Sequence, residues 1–283
     1  MSIDKTGVLY IVATPIGHLA DISARALEIL RGVDLIAAED TRHSARLLRH
    51  YGIEAPTVAL HEHNEREQAA RLMDRLRAGA SIALLSDAGT PAISDPGYHL
   101  IRAAQDGGVH IVPIPGASAL AAALSVSGQA ADRFVFEGFL PNRAAARAQR
   151  LEALRQEIRT LVFYEAPHRI VETLAAMAEI FGADREATIV REISKIHETV
   201  HRDSLAALLE WVRGDPDQQR GEIVLVVRGA EAPLESDIQP DVQRVLETLA
   251  AELPLRQAAA LAAKLTGVSR NRLYELGLRL KTR

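Results

Sequence analysis

"SIALLSDAGTPAISDPGYHLIRAAQDGG", residues 81–108, reads as a strand, a loop and a helix in that order. The apolar run at 81–85 has the length and composition of a strand buried on both faces. The chain turns helical again after Pro96, and Gly107 stops that helix. Between them, residues 86–97 hold Gly89 and Gly97, Pro91 and Pro96, Asp87 and Asp95. Asp95 is the expected N-cap and Pro96 the expected first helical position, so "SDPG" reads as the start of a helix. Capping leaves "DAGTP" (87–91) unexplained. That segment stands at the C-terminal end of a central strand, where parallel α/β sheets bind ligands. Gly89 opens the backbone to close approach and Pro91 stiffens it.

The same alternation extends on both sides. Strands are expected at 8–12, 34–38, 57–60, 81–85, 110–114 and 134–137, with amphipathic stretches such as "DISARALEILRG" between them. Strands alternating with helices predict a parallel-rich sheet covered on both faces. A second α/β unit follows, with strands at 160–164, 187–193, 196–201 and 222–227 and helices at 168–181 and 203–213. One of its connections is too short for a crossover, so this sheet is expected to be mixed. The last stretch is purely helical. The fold class is therefore α/β: a parallel-rich sheet, a mixed sheet and a small helical extension. The expected divisions are 1–138, 139–230 and 238–283, with "PNRAAARAQR" (141–150) forming a helix just past the first boundary.

Composition narrows the chemistry. The chain has 283 residues, is 48% hydrophobic and contains no Cys, which removes disulfides, thiolate metal sites and thiol nucleophiles. Only 4% is aromatic, so the core must be aliphatic. We expect no secretory leader and no membrane span, and hence a cytoplasmic protein. The net charge of −4 gives no global field for nucleic acid, although a local basic face suffices. Lysine occurs only at 5, 195, 264 and 281, which isolates Lys195 in mid-chain.

Several familiar motifs fail. No GxG and no GxxxxGK[ST] occurs. "HETVH" (197–201) matches the spacing of a zinc-binding helix, but Thr199 and Val200 favour a strand. His197 and His201 would then lie about 13 Å apart at about 3.3 Å per residue, so no metal is expected. "PGASA" (115–119) lacks the last glycine of a nucleophile elbow. Ser118 reads as a helix cap, with Gly116 allowing close strand-to-helix packing. What remains is a set of Gly/Pro turns at equivalent strand ends: "ATPIG" (13–17), "DAGTP", "PGASA" and "EGFLP" (137–141). Several strand ends that face one place suggest one ligand.

"ATPIGHLADIS", "AEDTRHS", "LLSDAGTPAISDPG", "IPGASAL", "FEGFLP", "FYEAPHRI", "REISKIHE" and "GEIVLVV" follow one another in this order. Together they resemble the tetrapyrrole-methylase superfamily of S-adenosylmethionine-dependent methyltransferases, across about residues 8–228. The helical tail resembles a C-terminal extension found in its ribosomal-RNA branch. The resemblance implies two α/β domains with the cofactor, S-adenosyl-L-methionine, in the cleft between them, and a homodimer. It implies cofactor contacts from Pro15 and Gly17, from Asp87, Gly89, Thr90 and Pro91, from Ser118 and Ala119, and from Leu140. Tyr164, Gly221 and Glu222 would close the far side. Relatives that act on tetrapyrroles carry a Gly-rich first turn and a GDP-type second one. This chain has "TPIG" and "SDAG", which favours the branch that methylates the ribose 2′-hydroxyl of a cytidine in the decoding region of 16S rRNA. The partner would then be 16S rRNA, in the small ribosomal subunit.

A ribose hydroxyl is a poor nucleophile near neutral pH and needs help with its proton. Lys195 is the first candidate, as a base if cations crowd it, or as a cation beside a developing alkoxide. The alternative is that it only pairs with Glu192 or Glu198. Glu165 is a candidate to orient it, and Glu198 completes the catalytic set. Arg42, Arg46, Arg143, Arg147, Arg150 and Arg169 are the candidate RNA contacts, and Arg270 and Arg272 are further candidates in a helix–turn–helix tail whose alternative role is to pack or dimerise. Glu39, Asp40 and Arg42 in "AEDTRHS" are substrate contacts, dimer contacts or helix caps. Two other functions stay open at this point: a methylase of the same fold acting on a tetrapyrrole or a protein side chain, and a non-catalytic ribosome assembly factor.

Overall fold

The computed structural model describes residues 7–231 and 240–281. Its first half alternates strand and helix: β1 (Val8–Val12), α1 (Ala24–Gly32), β2 (Leu35–Ala38), α2 (Thr41–His50), β3 (Thr57–Ala59), α3 (Glu65–Arg77), β4 (Ile82–Leu85), α4 (Tyr98–Asp106), β5 (His110–Ile114) and α5 (Ala119–Val126). The five strands form one parallel sheet in the order β3-β2-β4-β1-β5. The unbroken apolar runs of β2 and β4 follow from burial on both faces. Leu35, Ala37, Ile82 and Leu84 pack with Leu72 and Leu76 of α3 and Leu100 of α4. Ile36, Ala38, Ala83 and Leu85 pack on the opposite face with Ala26 and Leu30 of α1 and Leu47 of α2. Alternation along each strand thus serves two cores.

The second half follows with β6 (Phe134–Phe139), α6 (Ala144–Leu154), β7 (Thr160–Glu165), α7 (Ile170–Phe181), β8 (Glu186–Arg191), β9 (Thr199–Ser204), α8 (Leu205–Gly214) and β10 (Ile223–Val227). These strands form a second sheet in the order β6-β7-β10-β8-β9. Only β6 and β7 are parallel, and the short turn at 192–198 makes β8 and β9 an antiparallel pair. The strand preceding residue 139 therefore belongs to the second sheet. Ile223, Leu225 and Val227 of β10 pack with Leu151 of α6, Leu174 of α7 and Leu208 of α8. Val224 and Val226 face the other way, onto Ala123 and Leu124 of α5. A helix from the first half thus covers the second sheet, and the residues up to Ala230 form one compact unit.

The residues after Ala230 form a separate unit of α9 (Pro240–Glu252), α10 (Leu255–Thr266) and α11 (Arg270–Lys281). Its own core holds Leu246, Ala258, Ala262 and Leu273, and Gly267 closes α10. No helix among the described residues is long and apolar enough to cross a membrane.

Two local expectations need correction. The helix after the "SDPG" loop starts at Tyr98, with Gly97 rather than Asp95 at its N-cap. Ala92 and Ser94 take left-handed angles, φ 66° and 63°, and wind the loop past the expected start. The capping carboxylate comes instead from Glu65 of α3, which accepts from the backbone of Gly97 at 2.9 Å and of His99 at 2.7 Å. The expected strand at 196–201 begins only at Thr199, because Glu192 and Ser194 take φ 52° and 65° and build a longer turn.

Candidate active site

The C-terminal ends of the parallel strands are tied to one another. After β1, the backbone of Thr14 donates to Gly89 at 2.8 Å and receives the Gly89 N–H at 3.1 Å. The Thr14 hydroxyl donates to the Ser86 carbonyl at 3.2 Å. Gly89 sits at φ +80°, and a β-carbon there would meet Ile16 at 3.4 Å, an ordinary contact. Its backbone angle, not crowding within the protein, asks for glycine. The Thr90 hydroxyl donates to Ala117 at 3.2 Å, just before Ser118 caps α5. Asp87 joins the end of β2. Its N–H donates to Glu39 at 3.2 Å, and its carboxylate receives the N–H of Asp40 at 3.1 Å. Asp40 in turn caps α2, one of the roles expected for it.

These strand ends form one wall of a cavity of about 390 Å³, and the second sheet forms the other. Of the expected cofactor residues, Asp87, Gly89, Thr90, Ser118, Ala119, Tyr164, Gly221 and Glu222 line it. Pro15 and Gly17 line an adjoining cavity of about 590 Å³. Pro91 is buried outside both walls, and Leu140 lies in the core beneath the second sheet at 3% exposure. Its neighbour Phe139 faces the first cavity instead. A bulge between Phe136 and Gly138 breaks the register of β6 just before this point. Phe136 and Phe139 stand edge-on to Tyr164, with centroids 4.9 and 5.7 Å away.

The first cavity is acidic. Glu39, Asp87, Asp95, Glu165 and Glu222 line it, and no Lys, Arg or His does. Burial, with the charges of Glu39 and Asp87, raises Asp95 to about 6 against the pull of its Ser86 hydrogen bond. Burial also raises Glu39, against the pull of the hydrogen bond from the Asp87 N–H, while the Asp87 carboxylate charge pushes the same way as burial. Burial pushes the Tyr164 phenol up as well. Asp95 is the site residue that sequence reasoning missed, because "DPG" looks like a helix start. Glu165 differs from the others. Its side chain is 0% exposed and bound by Arg169 at 3.3 Å, the Thr173 hydroxyl at 2.6 Å and the Ala166 N–H at 2.8 Å. It holds Arg169 and does not touch Lys195.

Lys195 lies between the cavities. Its Nζ donates to Glu192 at 2.7 Å and to Glu222 at 2.6 Å, and Glu222 lines both cavities. Burial alone would lower the pKa of Lys195, but these two carboxylates outweigh it and raise it. For Glu192 burial is likewise outweighed, by Lys195 and the Glu222 N–H, and the pKa falls. Lys195 is thus held as a cation, which disfavours the base role and leaves the electrostatic one. Glu198 receives the Ser194 N–H at 2.7 Å and closes the turn around Lys195. A β-carbon on Gly17 would stand 2.6 Å from the Lys195 stem, so only glycine lets the first turn lie against it.

The second cavity adds His43, Arg46 and His50 of α2 to Lys195. Of the expected RNA contacts, Arg42 is 91% exposed and paired with Asp40, and Arg143 is exposed at the start of α6. Arg147 and Arg169 are corrections. Arg147 is 5% exposed and bonded to Glu172 at 2.9 Å. Arg169 is 11% exposed and bonded to Glu165 and to the carbonyls of Leu140 and Pro141. Both guanidiniums face inward. Arg150 pairs with Glu137. His201 lies on β9 and stacks on Trp211, whereas His197 lies in the preceding turn. Among the described residues no group of three or more His, Asp or Glu is arranged to hold a metal ion.

Two sheets thus meet at an acid-lined cleft, and comparison with known proteins identifies the architecture as that of a methylase family. Residues 8–209 match the family described as Tetrapyrrole (Corrin/Porphyrin) Methylases, and residues 236–281 match the RsmI C-terminal HTH domain. Solved structures with this fold include uroporphyrin-III-C-methyltransferase from Thermus thermophilus, at 19% identity and a TM-score of 0.57, covering 78% of this chain and 94% of that one. Diphthine synthase aligns at 20% identity and a TM-score of 0.62, covering 78% and 90%. Within this fold the chain belongs to the ribosomal RNA small subunit methyltransferase I family. It is 57% identical to the Pseudomonas aeruginosa member over 97% of this chain and 98% of the relative. It is 52% identical to the Haemophilus influenzae member, over 97% and 98%, and 50% identical to that of Escherichia coli O157:H7, over 97% and 96%.

Proposed function

We propose that this chain transfers a methyl group from S-adenosylmethionine to small-subunit ribosomal RNA, at the ribose 2′-hydroxyl of a cytidine in the decoding region of 16S rRNA. The observation that carries the reading is the pair of adjoining cavities, one lined by acids without a base, the other adding Lys195, His43, Arg46 and His50. S-adenosylmethionine is positively charged at sulfur and at its amine, negatively charged at one carboxylate, and carries a flat adenine ring with apolar faces. Glu39, Asp87 and Asp95 fit the positive charges, and Ile16, Phe139, Tyr164 and Ile223 fit the apolar part. The residues therefore suit this cofactor, which when bound supplies an electrophilic methyl group.

The chain's own work is positioning and electrostatics. The tied strand ends fix one wall, so little reorganisation is needed on binding. Lys195, held at the divide by Glu192 and Glu222, would stabilise negative charge that develops on the acceptor oxygen as its proton passes to solvent and the oxygen bonds to the methyl carbon. Family membership further supports a homodimer working in the cytoplasm on assembled small subunits. It also supports the two sheets, with the boundary moved ahead of β6, acting as two domains around the cofactor, and contact of Arg270 and Arg272 in the tail with RNA. The test is incubation with methyl-tritiated cofactor and either free 16S rRNA or small subunits, followed by nucleoside analysis. Label in one 2′-O-methylcytidine is expected. Absence of label from both substrates would overturn the proposal.

A further inference from the structure

We propose that the face of α2 carrying His43, Arg46 and His50 grips the phosphates of the RNA strand that presents the acceptor ribose. The inference rests on the function proposed above and assigns a substrate site to the second cavity. Residues 43, 46 and 50 are spaced i, i+3 and i+7, so they share one helix face. All three line the cavity of about 590 Å³, a volume suited to a nucleotide-sized group.

The helix sorts its cations. Arg42 is held by both oxygens of Asp40, and Arg49 donates to the Ala45 carbonyl at 3.0 Å. Arg46 is exposed and, among the described residues, makes no hydrogen bond or ion pair. Leu47, next to it, is buried in the core and fixes the direction in which the face looks. An unpaired guanidinium in a concave wall, flanked by two imidazoles, is suited to the two-pronged recognition of a phosphate.

Position within the cavity gives the strand a direction. Ile16, Asp87, Ala88 and Glu222 line both cavities and so mark their border. His43, Arg46 and His50 line only the second. A strand with its phosphates on α2 therefore has its ribose toward Lys195 and the border. The acids of the first cavity repel the phosphates and help keep the backbone on the α2 side.

The experiment measures binding of small ribosomal subunits, prepared from cells lacking this enzyme, to the full chain over 50–200 mM monovalent salt at fixed magnesium. Arg46→Gln is expected to weaken binding about tenfold at the low-salt end. It should also make the slope of log affinity against log salt shallower by about 0.7, the loss of one phosphate contact to a single strand. Arg46→Lys should recover most of the slope. Cofactor affinity by calorimetry and the melting temperature should match the parent. An unchanged affinity would overturn the site, as would weaker binding with an unchanged slope, or a parent that does not bind the subunits. A parent that binds with the expected slope difference yet transfers no methyl group would defeat the proposed function and leave this site standing.

Discussion

The two cavities share a border but differ in charge. The first holds Glu39, Asp87 and Asp95 with no basic side chain on its wall, and the strain appears as a carboxyl raised to about 6. The second places unpaired Arg46 and the ion-paired cation of Lys195 along helix α2 and the 192–198 turn. Uncompensated charge in a folded protein costs stability, so its presence points to a ligand of opposite sign. Under the function proposed here, the comparison teaches that charge would sort the two substrates: a cation to the strand ends, a polyanion to the helix.

Four substitutions press on that division, the largest effect first. Lys195→Ala removes the cation at the border, and single-turnover transfer should fall by about 10² to 10³ with cofactor affinity retained. Full activity would remove Lys195 from the account. Glu165→Ala should cost about 3 kcal/mol of stability in urea unfolding, because Arg169 loses its carboxylate in a site where little water reaches it. An unchanged midpoint would mean that this acid belongs with the cation-binding set. Asp95→Asn should weaken cofactor binding about tenfold, or about 1.4 kcal/mol.

The same Asn variant should melt higher than the parent at pH 8. Asp95 in the folded chain is raised from 3.8 to about 6, so between those values the folded state holds a proton that the unfolded state has released. Stability therefore falls as pH rises from about 4 to 6, and the cost is complete above 6. The advantage of Asn should shrink as pH is lowered toward 4, and an advantage that does not change with pH would assign it to packing. The smallest effect is expected for Arg42→Gln, within about 0.5 kcal/mol, since its pair with Asp40 is exposed. A larger loss on thermal melting would show that the α2 cap depends on the guanidinium.

Much of this was legible in the sequence because the cause was local. Strands β2 and β4 are short apolar runs since both faces are covered, and "DAGTP" announces a stiff strand end. The parts that were misjudged depend on distant residues. Asp95 faces the cavity because Glu65, thirty residues earlier in the chain, takes over the capping of α4. Arg147 looks like a solvated helix charge, but α7 brings Glu172 against it. Phe139 replaces Leu140 at the cavity, next to a bulge that no residue pattern declares. Lys195 stood out by its rarity. Its charge state, though, is set by Glu192 within its own turn together with Glu222, which reaches it from another strand's start.

The most direct test of a cation site built from strained carboxylates is a calorimetric titration of the full chain with S-adenosylmethionine at pH 7 and again at pH 5. The sulfonium charge is fixed and the amine, with an α-amino pKa of about 8, stays mostly protonated at both, whereas Asp95, at about 6, goes from mostly ionised to mostly neutral. One-site binding that is several-fold weaker at pH 5 is predicted. Equal affinity at the two pH values, or no binding at either, would contradict the account.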